Sequence, residues 1–207
     1  MKANHFIVTF ATRTSFVLMT LGSLGGCAAQ NDEVALGPLD ESVAQSSAAL
    51  STGVFRLKNY RTGLCVGLPA GTTRDGVRPI TWDCEANMPK NQQWRFRPSS
   101  EPGYVMLENQ AAANLCLERR GPWIDINNLG CYTAMEDGCY DYFNTQWNPI
   151  YVGRNFENKE CYRIANGGGG VLGVLGGNTG WGGKVVTWKD FADQYGHPDQ
   201  IWCVYDL

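Results

Sequence analysis

Phe55-Arg56-Leu57-Lys58-Asn59 alternates apolar and mostly polar residues and ends on Asn. The pattern recurs in Val105-Met106-Leu107-Glu108-Asn109 and in Tyr162-Arg163-Ile164-Ala165-Asn166. Such alternation is typical of a half-buried strand, and Asn is typical of the turn that follows it. The segments recur at intervals of roughly 50 to 60 residues, which indicates one unit repeated three times.

Two further landmarks recur in phase with these segments. A Trp closes each unit, in Asn91-Gln92-Gln93-Trp94, Asn144-Thr145-Gln146-Trp147 and Asp199-Gln200-Ile201-Trp202. Between segment and Trp lie Thr81-Trp82-Asp83-Cys84, Asn128-Leu129-Gly130-Cys131 and Thr187-Trp188-Lys189-Asp190. Units of about 50 residues are too small to bury an apolar face alone, so we expect them to share one core. Trp94, Trp147 and Trp202 are predicted to fill its centre.

The chain beyond the first 26 residues sustains no helical apolar period and is punctuated by Gly, Pro, Asn and Asp. This composition predicts an all-β fold of short strands and turns. A closed or capped barrel with pseudo-threefold symmetry is the expected arrangement, because it leaves few open strand edges.

Composition excludes several classes of function. The 207 residues carry 17 Lys and Arg against 20 Asp and Glu, and only 2 His. A net charge of −3 gives no electrostatic footprint for nucleic acid. Since His5 lies in a predicted leader, His197 would be the only mature histidine, which excludes sites that need several histidines. We expect no metal and no cofactor.

The N-terminus resembles an export signal. Residues 1–26 form the predicted signal peptide, in which Lys2 and Arg13 precede a short apolar run. The run ends on Leu24-Gly25-Gly26-Cys27, which is similar to a bacterial lipobox, so Cys27 would carry acyl chains that hold the protein on a membrane. An ordinary signal peptide cut near Ala28-Ala29 is the alternative and would release an extracellular protein. The resemblance to lipoproteins implies the outer membrane.

Residues 27–52 are small, polar and acidic, and we interpret them as a flexible tether. Residues 53–207 hold nearly all the aromatic residues and every Cys but Cys27, which predicts a single domain.

Residues 53–207 resemble the ricin B-chain-type lectin family with its QxW signature, in repeats at about 53–100, 103–152 and 160–207. The resemblance rests on Cys65-Val66, on Trp82-Asp83-Cys84 and on the closing Asn91-Gln92-Gln93-Trp94; Gln200 and Trp202 keep the signature in repeat three, whereas Thr145 replaces the Gln in repeat two. It implies a β-trefoil with three pseudo-threefold repeats.

The cysteines fit the same frame, because export permits disulfides. Matching places in the repeats imply Cys65–Cys84 and Cys116–Cys131. We further predict Cys161–Cys203, because the strands that carry them should be neighbours; Cys139 has no partner in this scheme. Zinc binding is the alternative, but the chain has no C-x-x-C spacing.

The resemblance also implies a sugar site in each repeat. The family uses an Asp two residues after the first Cys, an aromatic residue just before the second Cys, and Asn and Gln from the closing motif. The matching residues here are Trp82, Asn91 and Gln92 in repeat one, Glu118 and Asn144 in repeat two, and Trp188 and Gln200 in repeat three.

No repeat keeps the full set. Gly67 and Val174 stand in the Asp position of repeats one and three, Leu129 replaces the aromatic residue of repeat two, and Asp199 replaces the Asn of repeat three. We expect repeat two to be the best residual site, because Glu118 keeps the negative charge.

Three functions follow as hypotheses. The first is a surface-anchored lectin that binds glycans at partly degenerate sites. The second is a protein-interaction or toxin-delivery subunit, favoured by the loop that holds Cys139, Tyr140, Tyr142 and Phe143. An enzyme is the least favoured, since no spacing of carboxylates calls for a catalytic pair.

Overall fold

A computed structural model describes residues 53–123, 130–191 and 197–207; the side chains of 121–123 are not described. The predicted signal peptide, Cys27 and the tether lie outside these residues. Within them, no helix is long and apolar enough to cross a membrane. No group of three or more potential metal ligands occurs in the same part of the chain.

Twelve strands are present in the described ranges, four to each repeat. Repeat one has β1 (Val54–Asn59), β2 (Cys65–Gly67), β3 (Ile80–Trp82) and β4 (Trp94–Pro98). Repeat two has β5 (Val105–Asn109), β6 (Leu115–Trp123), β7 (Gly130–Asp137) and β8 (Trp147–Arg154). Repeat three has β9 (Glu160–Asn166), β10 (Val171–Val174), β11 (Gly183–Trp188) and β12 (Trp202–Asp206). Short 3₁₀ turns lie at Pro69–Gly71, Lys90–Gln92, Leu175–Gly177 and Pro198–Gln200.

The first and last strands of each repeat close a six-stranded antiparallel barrel in the order β1, β4, β5, β8, β9, β12 and back to β1. The inner strands form three hairpins, β2–β3, β6–β7 and β10–β11. These hairpins cap one end, where β11 pairs with both β3 and β7. The chain is therefore the β-trefoil that the sequence predicted.

The strand pattern follows the predicted alternation. In β1, Phe55, Leu57 and Asn59 are buried while the residues between them are partly exposed. β5 departs from this rule, since all its residues are buried. Its outer face is covered because Met106 packs on the Cys116–Cys139 bridge and Glu108 forms ion pairs with Arg95 and Arg97.

Trp94, Trp147 and Trp202 occupy equivalent places in one buried cluster, each at most 1% exposed. Each indole Nε1 donates to a backbone carbonyl of its own repeat: Val66 at 3.0 Å, Leu117 at 2.9 Å and Leu172 at 2.9 Å. The prediction that these residues fill the centre is confirmed.

The three Asn residues that end β1, β5 and β9 link successive repeats. Asn59 Nδ2 donates to Asp199 O at 2.9 Å, Asn109 Nδ2 to Asn91 O at 3.0 Å, and Asn166 Nδ2 to Asn144 O at 2.9 Å. Each Oδ1 accepts a backbone N–H from the turn that follows. The Asn therefore fixes its own turn and holds the closing motif of the preceding repeat.

The bridges Cys65–Cys84 and Cys161–Cys203 are confirmed. The predicted Cys116–Cys131 bridge is wrong, because Cys116 is bonded to Cys139. Cys116 lies opposite Glu136 near the end of β7, which brings it close to Cys139, whereas Cys131 lies near the start of β7.

Candidate functional site

The strand register defines which positions are equivalent in the three repeats. Cys65 lies opposite Trp82, Cys116 opposite Glu136 and Val171 opposite Trp188. Glu136 therefore occupies the ring position of repeat two, which the sequence comparison gave to Leu129, outside the described residues. The cause is the longer β6–β7 hairpin, which puts the ring position farther along the chain than the sequence landmark.

Repeat three requires a similar correction. Because Val171 rather than Leu172 matches Cys65, Gly173 and not Val174 stands in the Asp position, as Gly67 does in repeat one. The turn after Asn166 is one residue shorter than the turn after Asn59, which displaced the sequence alignment by one position.

The repeat-one cavity has a volume of about 540 Å³. It lies between the β2–β3 hairpin and the closing 3₁₀ turn, and its lining includes Trp82, Glu85, Asn91 and Gln92. Trp82 is 39% exposed, and Asn91 Nδ2 donates to Leu68 O at 2.9 Å, which holds the amide at the wall. The structure therefore brings together the three residues predicted for this repeat.

Gln92 is 1% exposed and braces the cavity from behind. Its Nε2 donates to Asp83 O at 2.7 Å, and its Oε1 accepts from Glu85 N at 3.1 Å. A Cβ at Gly67 would lie 3.0 Å from Gln92 Cγ, so a carboxylate in the family position would press on this turn.

Glu85 and Trp181 are two residues of this region that sequence reasoning missed. Glu85 lines the cavity, and no described residue pairs with its carboxylate. Trp181 comes from repeat three: its ring centroid lies 5.2 Å from that of Trp82, and its Nε1 donates to Asp83 Oδ1 at 3.0 Å. The sequence offered one signal for each of them. Trp181 lies in a Gly-rich loop, and Glu85 directly follows the second Cys of the landmark.

Repeat two differs from the other two repeats in the Asp position, which is occupied by Glu118 rather than by Gly. Glu118 is 3% exposed; its Oε2 accepts from Asn144 Nδ2 at 2.9 Å, and Arg120 Nη1 lies 2.9 Å from its Oε1. Burial, and then the charge of Glu136, raise the pKa of Glu118 to about 7. The structure brings Glu118 and Asn144 together, but as partners of each other.

The loop that follows β7 is braced at several points. The Thr145 hydroxyl, which replaces the signature Gln, donates to Tyr142 O at 2.9 Å. Hydrogen bonds from Ser99, Ser100 and Gln146 lower the pKa of Asp141 to about 2 against the opposing effect of burial. The exposed rings of this loop are those of Tyr140, Tyr142 and Phe143.

The repeat-three cavity has a volume of about 350 Å³. Trp188, Phe191, His197, Asp199 and Arg61 are among the residues that line it. Gln200 lies behind it and is 2% exposed; its Nε2 donates to Lys189 O at 2.7 Å, and its Oε1 accepts from Phe191 N at 3.4 Å. Gln200 thus repeats the bracing role of Gln92, and Phe191 occupies the place of Glu85.

Comparisons with known proteins support the fold. A family model described as a ricin-type beta-trefoil lectin domain-like family matches residues 44–123 and, in an overlapping copy, 90–188. No curated protein sequence matches the chain.

Solved structures with the same fold include a designed threefold symmetric protein, ThreeFoil, at 21% identity and a TM-score of 0.60, covering 75% of this chain and 100% of that one. An exo-β-1,3-galactanase from Clostridium thermocellum has 18% identity and a TM-score of 0.60, covering 76% of this chain but 31% of the galactanase. The C-terminal half of an earthworm R-type lectin in complex with GalNAc has 16% identity and a TM-score of 0.52, covering 75% and 100%.

Proposed function

Since the chain belongs to the family of ricin-type β-trefoil lectin-like domains, we propose that it binds carbohydrate and that the repeat-one cavity is its main sugar pocket. The observation that carries this proposal is an exposed indole, Trp82, on the wall of a cavity that also presents Glu85 and Asn91. The glycan ligands of lectins with the same fold, such as GalNAc for the earthworm protein, support the ligand class.

Each residue has a defined task in this pocket. The apolar face of a sugar ring would stack on Trp82, as sugars do on aromatic side chains. The Glu85 carboxylate accepts hydrogen bonds from sugar hydroxyls and so replaces the Asp that Gly67 cannot supply. Asn91 adds an amide, while Gln92 keeps the loop of Glu85 in place.

A hydrogen bond to a charged group contributes roughly 1.5 to 3 kcal/mol, so the Glu85 carboxylate is worth about tenfold in affinity or more. A glycan array probed with the purified protein, followed by titration of the best hit, tests this. We expect Trp82→Ala and Glu85→Ala each to weaken binding at least tenfold.

Phe156→Ala is the matched control, because Phe156 is 93% exposed and lies outside the repeat-one cavity. The same array with Glu118→Ala compares repeat two, where the carboxylate already has protein partners. Unchanged binding by Trp82→Ala, with loss in Glu118→Ala, would move the site to repeat two.

We propose binding without catalysis. The galactanase whose fold is similar is a much longer chain, of which this protein spans 31%. Incubation of the best glycan hit with the protein should leave it intact by mass spectrometry, and a cleaved product would reverse this proposal.

A second candidate function is docking of a protein partner through the braced aromatic loop. Tyr140, Tyr142 and Phe143 are 55%, 56% and 54% exposed, and the first two rings stack at 5.9 Å. Exposed aromatic residues held in a rigid loop are typical of interface centres. An empty glycan array, together with capture of a partner that is lost in Tyr142→Ala, would favour this function.

We also propose export and a lipid anchor at Cys27, which places the lectin on a bacterial surface. The support is the lipobox-like Leu24-Gly25-Gly26-Cys27. Radiolabelled palmitate should be incorporated by the wild-type chain and not by Cys27→Ala. Label-free protein in the medium would instead support an ordinary signal peptide cut near Ala28-Ala29.

A further inference from the structure

The repeat-three cavity contains a positive charge that the repeat-one cavity lacks. The residues that line the repeat-one cavity include Glu85 and no Lys or Arg. Those that line the repeat-three cavity include Arg61, which is contributed by the β1–β2 turn of repeat one. The two cavities therefore share a scaffold but differ in charge.

Two features fix the position of Arg61 in this cavity: a backbone hydrogen bond and the space left by Gly177. Its N–H donates to Pro198 O at 3.2 Å, which ties the turn to the closing motif of repeat three. Its guanidinium lies over Gly177, where a Cβ would come within 2.6 Å of Arg61 Nη1. Gly177 also has a φ of +61°, so the site has both the space and the backbone conformation that only glycine readily provides.

No acidic group among the described residues forms an ion pair with Arg61. An arginine is suited to an anionic ligand because its planar fork can donate two parallel hydrogen bonds to a carboxylate or sulfate. Arg61 is exposed, so a ligand can reach it.

The other walls of the cavity suit a sugar ring. Trp188 matches Trp82 in the strand register, and Phe191 adds a second ring where repeat one has Glu85. Asp199 is the carboxylate of this cavity; its side chain is 15% exposed and lies 3.8 Å from His197 Nδ1. The carboxylate oxygens of Asp199 can accept hydrogen bonds from sugar hydroxyls.

We propose that the repeat-three cavity binds an anionic sugar, with its acid group on Arg61, its apolar face on Trp188 and a hydroxyl on Asp199. The proposal rests on the carbohydrate-binding function proposed above, but it concerns a different cavity with a different ligand class. The chain would then bind neutral sugars in repeat one and acidic sugars in repeat three.

Calorimetric titration with matched sugar pairs tests the proposal. Methyl glucuronide, methyl galacturonide and the methyl glycoside of N-acetylneuraminic acid are each compared with a neutral counterpart that lacks the carboxylate. Glucose 6-sulfate and galactose 6-sulfate form a second arm, which distinguishes a sulfate from a carboxylate. We expect at least one acidic sugar to bind about tenfold or more tightly than its neutral partner.

That preference should disappear in Arg61→Gln and persist in Arg74→Gln, which removes the same charge from an exposed arginine outside this cavity. Arg61→Lys should retain only part of it, because an ammonium cannot form the bidentate pair.

Absence of an acidic preference in every pair, or its survival in Arg61→Gln, overturns the proposal. Binding of neutral sugars that depends on Trp82 would then still support the function of repeat one. Loss of both kinds of binding would overturn the two proposals together.

Discussion

At the level of single residues, the Gln of the closing motif has a structural role in repeats one and three. Gln92 and Gln200 were predicted as sugar contacts from the signature, and the structure shows both buried, each with two backbone hydrogen bonds to the loop behind its cavity. The signature motif therefore shapes the wall, while Glu85 and Asp199 offer the carboxylates. Whether either Gln also touches a ligand stays a prediction.

Gln92→Ala should lower the free energy of unfolding by about 1 to 3 kcal/mol, because it leaves Glu85 N and Asp83 O without their partner. Urea unfolding measures the change. Gln110→Ala is the control, since Gln110 is half-buried and should change stability by less than about 0.5 kcal/mol. Equal stability of wild type and Gln92→Ala would contradict the bracing role.

Glu118 gives the fold a pH dependence whose sign can be stated. Its pKa rises from 4.5 to about 7 on folding, so between these values the folded chain holds a proton that the unfolded chain releases. The Glu118 contribution to the free energy of unfolding therefore falls as pH rises from about 4.5 to about 7. Glu118→Gln should flatten this part of the curve, measured by urea unfolding at several pH values; an unchanged slope would refute the assignment.

At the scale of elements, the β6–β7 hairpin shows what the sequence could and could not predict. The alternating segments and the closing Trp residues were correctly predicted, because both follow from local periodicity. The position of the second landmark was not, because the extra length of β6 and β7 moves Glu136 and Cys139 into the places given to Leu129 and Cys131. Loop length is unconstrained by periodicity, so the sequence alone could not decide between two cysteines.

Likewise, Arg61 and Trp181 act in a cavity or against a ring of another repeat. Their roles arise from the packing of repeats separated by most of the chain, and no local pattern predicts them. The predicted residues that lie together in the structure are those fixed within one repeat, such as Trp82 with Asn91.

The Cys116–Cys139 bridge is predicted to stabilise the fold by about 3 kcal/mol, from the loop that it closes. Replacing both cysteines by Ala should lower the free energy of unfolding by about this amount, with the Cys65→Ala, Cys84→Ala pair as a comparison. Peptide mapping of the unreduced protein by mass spectrometry should find the link between 116 and 139. A link between 116 and 131 would contradict the register of β6 and β7.

At the scale of the whole molecule, three repeats share one core but have diverged at their outer sites. The indoles and the linking Asn residues are nearly identical in their contacts. The repeat-one cavity contains Glu85, and the repeat-three cavity contains Arg61 and Asp199. In repeat two, Glu118 accepts a hydrogen bond from Asn144. The core contacts are thus shared, whereas the charged residues of the outer sites differ from repeat to repeat.

Equivalent core positions should respond alike to substitution. Trp94→Phe, Trp147→Phe and Trp202→Phe each remove an indole N–H from a buried carbonyl, so each should cost about 1 to 3 kcal/mol from the unpaired acceptor alone. Thermal and urea unfolding of the three variants should give losses within about 1 kcal/mol of one another, the scatter expected from differences in local packing. One neutral variant would show that its repeat does not share the common centre.

A crystal structure of the protein with the tightest hit from a neutral-glycan array would show directly where the sugar binds. We expect a sugar ring stacked on Trp82, with hydroxyls within hydrogen-bond distance of the Glu85 carboxylate. A sugar bound to the aromatic loop around Tyr142, or at Glu118 with the Trp82 cavity empty, would contradict it.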